Sequence, residues 1–368
     1  MTINLPPQDD EIELSIFGPG YGESVLIHLG LGEWLVVDSC VDKSTKFPAP
    51  ISYLRQIGLR PNNAVKIILA SHWHDDHVRG LSAIFEQCES AQFFGSAALK
   101  HKEFLTLVKS HGSQIDEGVK EFAKIIDKIV DKAKRGSAGP NWAIENTRLW
   151  FRTHPTYPGE IFALSPSSDA TTLALRELSQ LIPSLGAKKN RPLALTPNHA
   201  AVVLNITIAD QTVILGSDLE ETSDAGTGWS VIVDSPARPT SRGQVFKIPH
   251  HGSANGHQLR VWNEMLHTHP LAVLTPFVNG RVALPSKQDV QRICALTSNA
   301  FCTAQVMPHR QKKRHGALDR TIKEVVRRIR IIHNVPGHVR LRKTLSDPSS
   351  SWRVELFDGA VPLKEAVA

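Results

Sequence analysis

An apolar run from Ala64 to Ala70 (AVKIILA) leads directly into Ser71 to His77 (SHWHDDH), which places His72, His74, Asp76 and His77 within six positions. The run reads as a buried strand, so the ligand-type residues fall on the loop at its end. Side chains alternate along an extended chain; His72 and His74 therefore point to one side and can grip one cation. Asp76 and His77, on the turn that follows, can reach a second cation close by, and their oxygen and nitrogen donors suit zinc-like ions. A His-rich surface loop would look the same, and partners elsewhere in the chain decide between the two readings.

Candidate partners stand at other strand ends. His199 (TPNHAAVVLNI) precedes a strand over Ala201 to Ile208, and Asp218 follows its hairpin partner, Thr212 to Leu215, in LGSDLE. His250 and His251 close a third apolar run in VFKIPHHGS. Taken singly, a His before a strand or an Asp after one is an ordinary surface residue or cap. Taken in this order they give two sets, His72, His74 and His199 for one ion and Asp76, His77 and a C-terminal His for the other, bridged by Asp218.

The surrounding chain supports an α/β domain. Residues Glu11 to Phe17, Ser24 to Leu29 and Trp34 to Val37 read as three strands around a Gly/Pro turn, and Pro48 to Ile57 as a helix before the metal loop. Leu81, Ile84 and Phe85 mark a short helix after it, and AQFFGS a further strand. From about 97 to 136 apolar residues keep helical spacing between lysines and acids, which predicts a helical insertion that either packs on the sheet or roofs the site. Another helix is expected over Asp169 to Leu181.

Composition narrows the class. The 368 residues are 41% hydrophobic and 21% charged, ordinary for a globular protein. The N-terminal sequence lacks a basic stretch followed by an apolar one, and no apolar run approaches about 18 residues, so a cytoplasmic protein with no membrane contact is expected. Cys40, Cys88, Cys294 and Cys302 form no C-x-x-C pair, which argues against a disulfide framework or a zinc knuckle.

The order and local sequences resemble the metallo-β-lactamase-fold hydrolases, and among them the metallo-β-lactamase-like domain of the competence DNA-uptake channel proteins and their soluble relatives. The residues that carry the likeness are SHWHDDHVRG, Asp38 after the third strand, NHAAVVL, LGSDLE and FKIPHHGS, spanning about 11 to 305. The chain departs from the competence pattern at Val282 to Pro285, where Gly-His-Pro is common, and carries His199 where those relatives often have Asn. The resemblance implies an αββα sandwich over 1–305; the charge and apolar spacing of 306–368 read as a basic extension made of an amphipathic helix and a hairpin. The resemblance also implies two divalent ions, zinc or alternatively manganese, with His251 as the C-terminal ligand and Asp38 supporting the loop. A hydroxide shared by the ions would be the nucleophile, oriented by Asp76, with His250 as proton donor.

Charge is uneven: the segment from His309 to Lys343 carries twelve Lys or Arg against Asp319 and Glu324, leaving −4 for the rest of a chain whose total is +6. Arg327, Arg328 and Arg330 lie on an amphipathic helix predicted over Arg320 to Ile332 and, with Lys247 and Ser253 beside the last motif, are the candidate phosphate contacts. A solvated basic face, or docking of an acidic protein partner, explains the same charges. The first expectation is therefore a phosphodiesterase or nuclease acting on nucleic acid or a nucleotide. The alternatives are a hydrolase of a small ester, thioester, lactone or phosphoester, and a metal-binding interaction subunit of a multi-protein system.

Overall fold

The computed structural model describes residues 5–100, 117–134, 139–181, 197–306 and 336–367. In chain order these form β1 (Glu11–Gly20), β2 (Gly22–His28), β3 (Trp34–Asp38), α1 (Ala49–Gln56), α2 (Pro61–Ala64), β4 (Val65–Ala70), α3 (Asp75–Val78), α4 (Leu81–Gln87) and β5 (Gln92–Ser96). After them come α5 (Glu117–Ala133), β6 (Asn141–Ala143), β7 (Thr147–Arg152), β8 (Gly159–Ala163), α6 (Ser168–Leu181), β9 (Leu204–Ile208), β10 (Gln211–Leu215), α7 (Trp229–Asp234) and β11 (Gly243–Lys247). The last are β12 (Leu266–Leu274), β13 (Phe277–Asn279), β14 (Val282–Leu284), α8 (Lys287–Leu296), β15 (Ala300–Cys302), β16 (Gly337–Thr344), β17 (Arg353–Phe357) and β18 (Val361–Pro362).

Two sheets result, ordered β17-β16-β1-β2-β3-β4-β5-β6 and β18-β15-β12-β11-β10-β9-β8-β7. Strands joined by tight turns pair antiparallel, as β1-β2, β2-β3 and β9-β10 do. Those separated by a helix pair in parallel, as β3-β4, β4-β5, β10-β11 and β12-β15 do, because a parallel neighbour needs a crossover.

The alternation of side chains explains the layering. Val25, Ile27, Leu35, Val37, Ile67 and Leu69 face inward and meet Ile206, Val213, Val245 and Val273 of the second sheet. Their neighbours Leu26, Val36, Ile68 and Ala70 point the other way, onto α1, α4 and α5, while Ile214, Phe246 and Ala272 meet the helices on the far side. The central strands of both sheets are thus buried on both faces, and the architecture is an αββα sandwich.

Within the predicted insertion, α5 is helical and buries Phe122, Ile125, Ile126 and Ile129 as one stripe in the outer core; residues 101–116 and 135–138 lie outside the described residues. Its first turn is tied to the metal loop: the Gly118 amide donates to Asp75, and Glu121 Oε1 accepts from the Gly80 and Ser82 amides (3.1 and 3.0 Å) and the Ser82 hydroxyl (2.7 Å). A Cβ at Gly118 would lie 2.5 Å from the Trp73 carbonyl oxygen, so only glycine permits this approach.

The C-terminal hairpin, β16-β17, is part of the first sheet, with β16 paired to β1. This alters the reading of the basic segment. Residues 307–335, with Arg327, Arg328 and Arg330, lie outside the described residues. Arg340, Arg342 and Lys343 are buried in β16. Arg340 donates to Glu355 (2.8 Å) and to the Tyr53 hydroxyl (3.1 Å), Arg342 to Glu13 (2.6 Å), and Lys343 to the Ser350 carbonyl, so these three cations are used inside the fold.

Candidate metal centre

Both sheets direct the carboxyl ends of their parallel strands to one edge, the place where open α/β sheets gather ligand-binding loops. Asp38 ends β3, the SHWHDDH loop follows β4, Asp218 follows β10, and His250 and His251 follow β11. Asp38, Ser217, His250 and His251 all have positive φ (58, 46, 47 and 53°). Left-handed backbone at non-glycine residues costs on the order of 1–3 kcal/mol each, and it clusters where side chains must be aimed.

Asp76, His77, Asp218 and His251 offer one donor atom each, all within 4.8 Å of one another. His77 Nε2 lies 3.3 Å from Asp218 Oδ2, and His251 Nε2 lies 3.4 Å from Asp76 Oδ2 and 3.5 Å from Asp218 Oδ2. Two donors bound tetrahedrally at zinc distances stand about 3.3–3.5 Å apart, which these three separations match, while His77 Nε2 and Asp76 Oδ2 stand 4.0 Å apart.

Proton bookkeeping reaches the same result. Asp38 accepts from the Ser71 amide (2.7 Å), the Ser71 hydroxyl (2.6 Å) and His77 Nδ1 (2.8 Å). The Ser71 hydroxyl spends its only proton there, so His72 Nδ1 donates to Ser71 Oγ (2.9 Å). His251 Nδ1 donates to the Thr275 carbonyl (3.0 Å). In its neutral form each of the three rings therefore keeps the proton on Nδ1 and offers the Nε2 lone pair, the arrangement of a metal-ligating histidine. Nε2 of both His72 and His77 is buried without a hydrogen-bond partner, as is Asp218 Oδ1.

The charges agree as well. Burial depresses the His72 pKa well below the ordinary histidine value, with His77 and His74 adding to the effect. Burial acts the same way on His77 and His251, but Asp218, Asp76 and the further carboxylates outweigh it and raise both. Conversely, burial pushes Asp76 and Asp218 up, while His77 and His251 more than offset this and hold both low. Four acids, Glu23, Asp38, Asp76 and Asp218, converge on a region whose lysine is Lys247. A divalent cation can take the place of the protons that His77 and His251 otherwise hold, so these residues fit such an ion.

The remaining expected residues are placed as follows. His74 is half-buried, its ring 5.1 Å from that of His72, and it lines the cavity described below. His199 Nε2 is buried without a hydrogen bond, 3.6 Å from Glu177 Oε2. Among the described residues His72, His74 and His199 do not close into a compact donor set as the other four do. His250 turns from the cluster: its Nδ1 meets Asn255 Oδ1 (2.9 Å) and Glu220 Oε1 (3.1 Å). Lys247 is buried and ion-paired to Glu23, with Nζ donating to the Ser217 carbonyl (2.9 Å) and 3.8 Å from Asp218. The sequence reading missed Glu23, although a carboxylate inside the apolar strand GESVLIH is a signal of its own.

A cavity of about 580 Å³ opens onto the cluster. Trp73, Phe277, Val282 and Leu284 form its apolar wall, and His250, Ser253, Asn255 and Asn279 its polar one. Phe277 stacks on the His251 ring (centroids 5.0 Å apart).

The model of the metallo-beta-lactamase superfamily matches residues 17–96, the stretch that carries Glu23, Asp38 and the SHWHDDH loop. Among solved structures, similar ones include a metallo-beta-lactamase from Cronobacter sakazakii (HARLDQ-motif mutant), 14% identical, covering 64% of this chain and 68% of that one, with a TM-score of 0.31. The Rm3 metallo-beta-lactamase is 14% identical over 71% of this chain and 85% of its own (TM-score 0.33). A flavo di-iron protein mutant from Thermotoga maritima is 13% identical over 55% and 35% (TM-score 0.25). No curated protein matches the sequence. Among the described residues no helix is long and apolar enough to cross a membrane.

Proposed function

We propose that the protein is a metal-dependent hydrolase of a compact ester, with a small phosphodiester as the first class to test. The observation that carries this reading is the Asp76, His77, Asp218 and His251 cluster, whose donor atoms all lie within 4.8 Å of one another, at the floor of a cavity of about 580 Å³. That volume falls in the range of small-molecule sites. Zinc or manganese held there would polarise the scissile bond and lower the pKa of a water.

The chain's own groups would do the rest. Glu220 and Asn255 Oδ1 accept from Nδ1 of His250, so Nδ1 keeps its proton, and Nε2, which accepts only a long contact from Asn198 Nδ2 (3.5 Å), is the atom that would take one up and return it to a leaving group. Ser253, Asn255 and Asn279 offer hydrogen bonds to the substrate's polar end. Trp73 and Phe277 cover its apolar part and exclude water from the reacting atoms.

Nucleic acid, as for a competence-type relative, is the second reading, and one observation favours it. Lys43, Lys46 and Arg79 gather over the Tyr21 ring at 5.5, 4.8 and 4.7 Å, and none forms an ion pair among the described residues. Tyr21 adjoins Gly22, which packs against the Asp76 carbonyl, so this basic patch borders the metal loop. Against it, no Lys or Arg lines the cavity among the described residues.

Zinc- and manganese-loaded protein should cleave bis-p-nitrophenyl phosphate, and Asp76→Ala/His77→Ala should not. Equal activity in the two would sink the assignment. Cleavage of single-stranded DNA or RNA that exceeds that of the small diester and weakens in Lys46→Ala/Arg79→Ala would establish the second reading instead.

A further inference from the structure

His199 faces a carboxylate that the ligand pattern of the sequence does not include. Helix α6 buries Ala170, Ala174 and Leu178 against the outer core, and this stripe fixes the rotation of the helix. Its start is held by the Ser167 hydroxyl, which accepts from the Ala170 amide (3.0 Å). Glu177, one residue from the stripe, is thereby brought to the edge of the site, its side chain 35% exposed.

The Glu177 Oε2 to His199 Nε2 separation is 3.6 Å. This is too long for a hydrogen bond, and His199 Nε2 has no other hydrogen-bond partner although it is buried. The gap is close to the 3.3–3.5 Å between the donor pairs of the other cluster, as expected of two ligands that share one ion. The segment that carries His199 is also stitched to the metal loop. The Val202 amide donates to the Ser71 carbonyl (3.0 Å), and the Ser96 hydroxyl donates to the Ala200 carbonyl (2.7 Å). The residue after Ser71 is His72, whose Nε2 is also buried without a hydrogen-bond partner and whose ring lies 4.2 Å from that of His77.

We propose that Glu177 is a ligand, with His199, of a second divalent cation beside the Asp76–His77–Asp218–His251 cluster. This inference rests on the metal-centre reading above and extends it. A carboxylate in this position makes the site harder than a set of histidines alone, which tilts it toward oxygen-preferring ions such as manganese.

The test is a titration of chelator-stripped full-length protein with Zn²⁺ and Co²⁺, read as ion stoichiometry, affinity by chelator competition and the visible Co²⁺ spectrum. Wild type should bind two ions. Glu177→Gln should weaken one of them at least ten-fold and change the Co²⁺ spectrum while leaving the other intact; Asp76→Ala/His77→Ala should remove the opposite ion. Glu177→Asp, which withdraws the charge by one methylene, should fall between wild type and Glu177→Gln, and it serves as the probe should the glutamine variant not fold. Two ions with unaltered affinity and spectrum in the Glu177 variants would overturn the Glu177 ligand and leave the first cluster standing. A single ion, lost in Asp76→Ala/His77→Ala and indifferent to Glu177, would do the same. Wild type that binds no ion would overturn the metal centre and this ligand together.

Discussion

Lys247→Met tests whether the charge beneath the cluster is structural. The Lys247 side chain is 2% exposed and Glu23 is 3% exposed, and the ammonium pairs with Glu23, donates to Ser217 and stands 3.8 Å from Asp218. Methionine keeps the length of the side chain and removes the charge. Glu23 is then left with His77 Nε2 at 4.0 Å and His251 Nδ1 at 3.9 Å, both beyond hydrogen-bond reach, and its Oε2 already lacks a partner. Removing one member of a buried pair costs roughly 3–5 kcal/mol because the survivor stays charged and dry. The substitution should therefore lower the unfolding free energy of chelated protein, read from urea melts, by that amount. Glu23→Gln removes the stranded charge, so Lys247→Met/Glu23→Gln should be less destabilised than the sum of its single changes, with a coupling of about 1–3 kcal/mol. Additive costs, or a Lys247→Met penalty under about 1 kcal/mol, would refute the buried pair. A phosphate-binding lysine would instead leave stability unchanged and weaken phosphate ligands.

Three further outcomes follow from the geometry. His338 is packed between Phe17 and Phe357, with Arg340 and Arg342 nearby, and burial followed by those two charges depresses its pKa to about 3 from 6.5. Between pH 7 and 5 the unfolded chain gains a proton that the native one refuses, so stability falls by about 2 kcal/mol on acidification; His338→Phe should lack that part of the pH dependence, and identical slopes in urea melts would contradict it. Asp38→Asn places an amide where His77 Nδ1 donates, and should weaken zinc binding about 10–100-fold in chelator competition, with wild-type affinity as the refuting result. Gly118→Ala puts a Cβ 2.5 Å from the Trp73 carbonyl and 2.8 Å from Asp75, and should cost about 1–3 kcal/mol in thermal melts by pushing α5 off the metal loop; an unshifted melt would show the contact to be loose.

The metal loop is legible in the sequence because its information is local: an apolar strand, then donors at spacings that a short turn can fold together. Asp218 and His251 are legible for the related reason that each stands where an apolar strand stops. What the sequence hides is pairing across distance. Glu23 and Lys247 are each a lone charge in an apolar strand, and only the sandwich, by stacking β2 and β11 on either side of one site, makes them a pair. Arg340 and Arg342 count toward a basic segment until β16 pairs with β17 and β1, which bring Glu355 and Glu13 to them. A charge count over sequence cannot tell a solvated cation from a buried, neutralised one. Asp75, one of four acids or histidines in a row, caps the insertion helix, as only the fold of residues 117–133 onto the loop reveals.

That last contact bears on how the site is built. Asp76 and His77 lie on α3, a single turn of four residues, which has no intrinsic stability. Its position is imposed from outside, by Asp38 on β3 gripping His77 and Ser71, and by α5 gripping Asp75 while Glu121 holds Gly80 and Ser82. The insertion therefore acts on the donors without lining the cavity among the described residues: it holds the backbone on either side of them, and a helix anchored by Phe122, Ile125 and Ile126 transmits the rigidity of the outer core to the metal loop. A perturbation of α5 should thus appear first as a change in cation affinity.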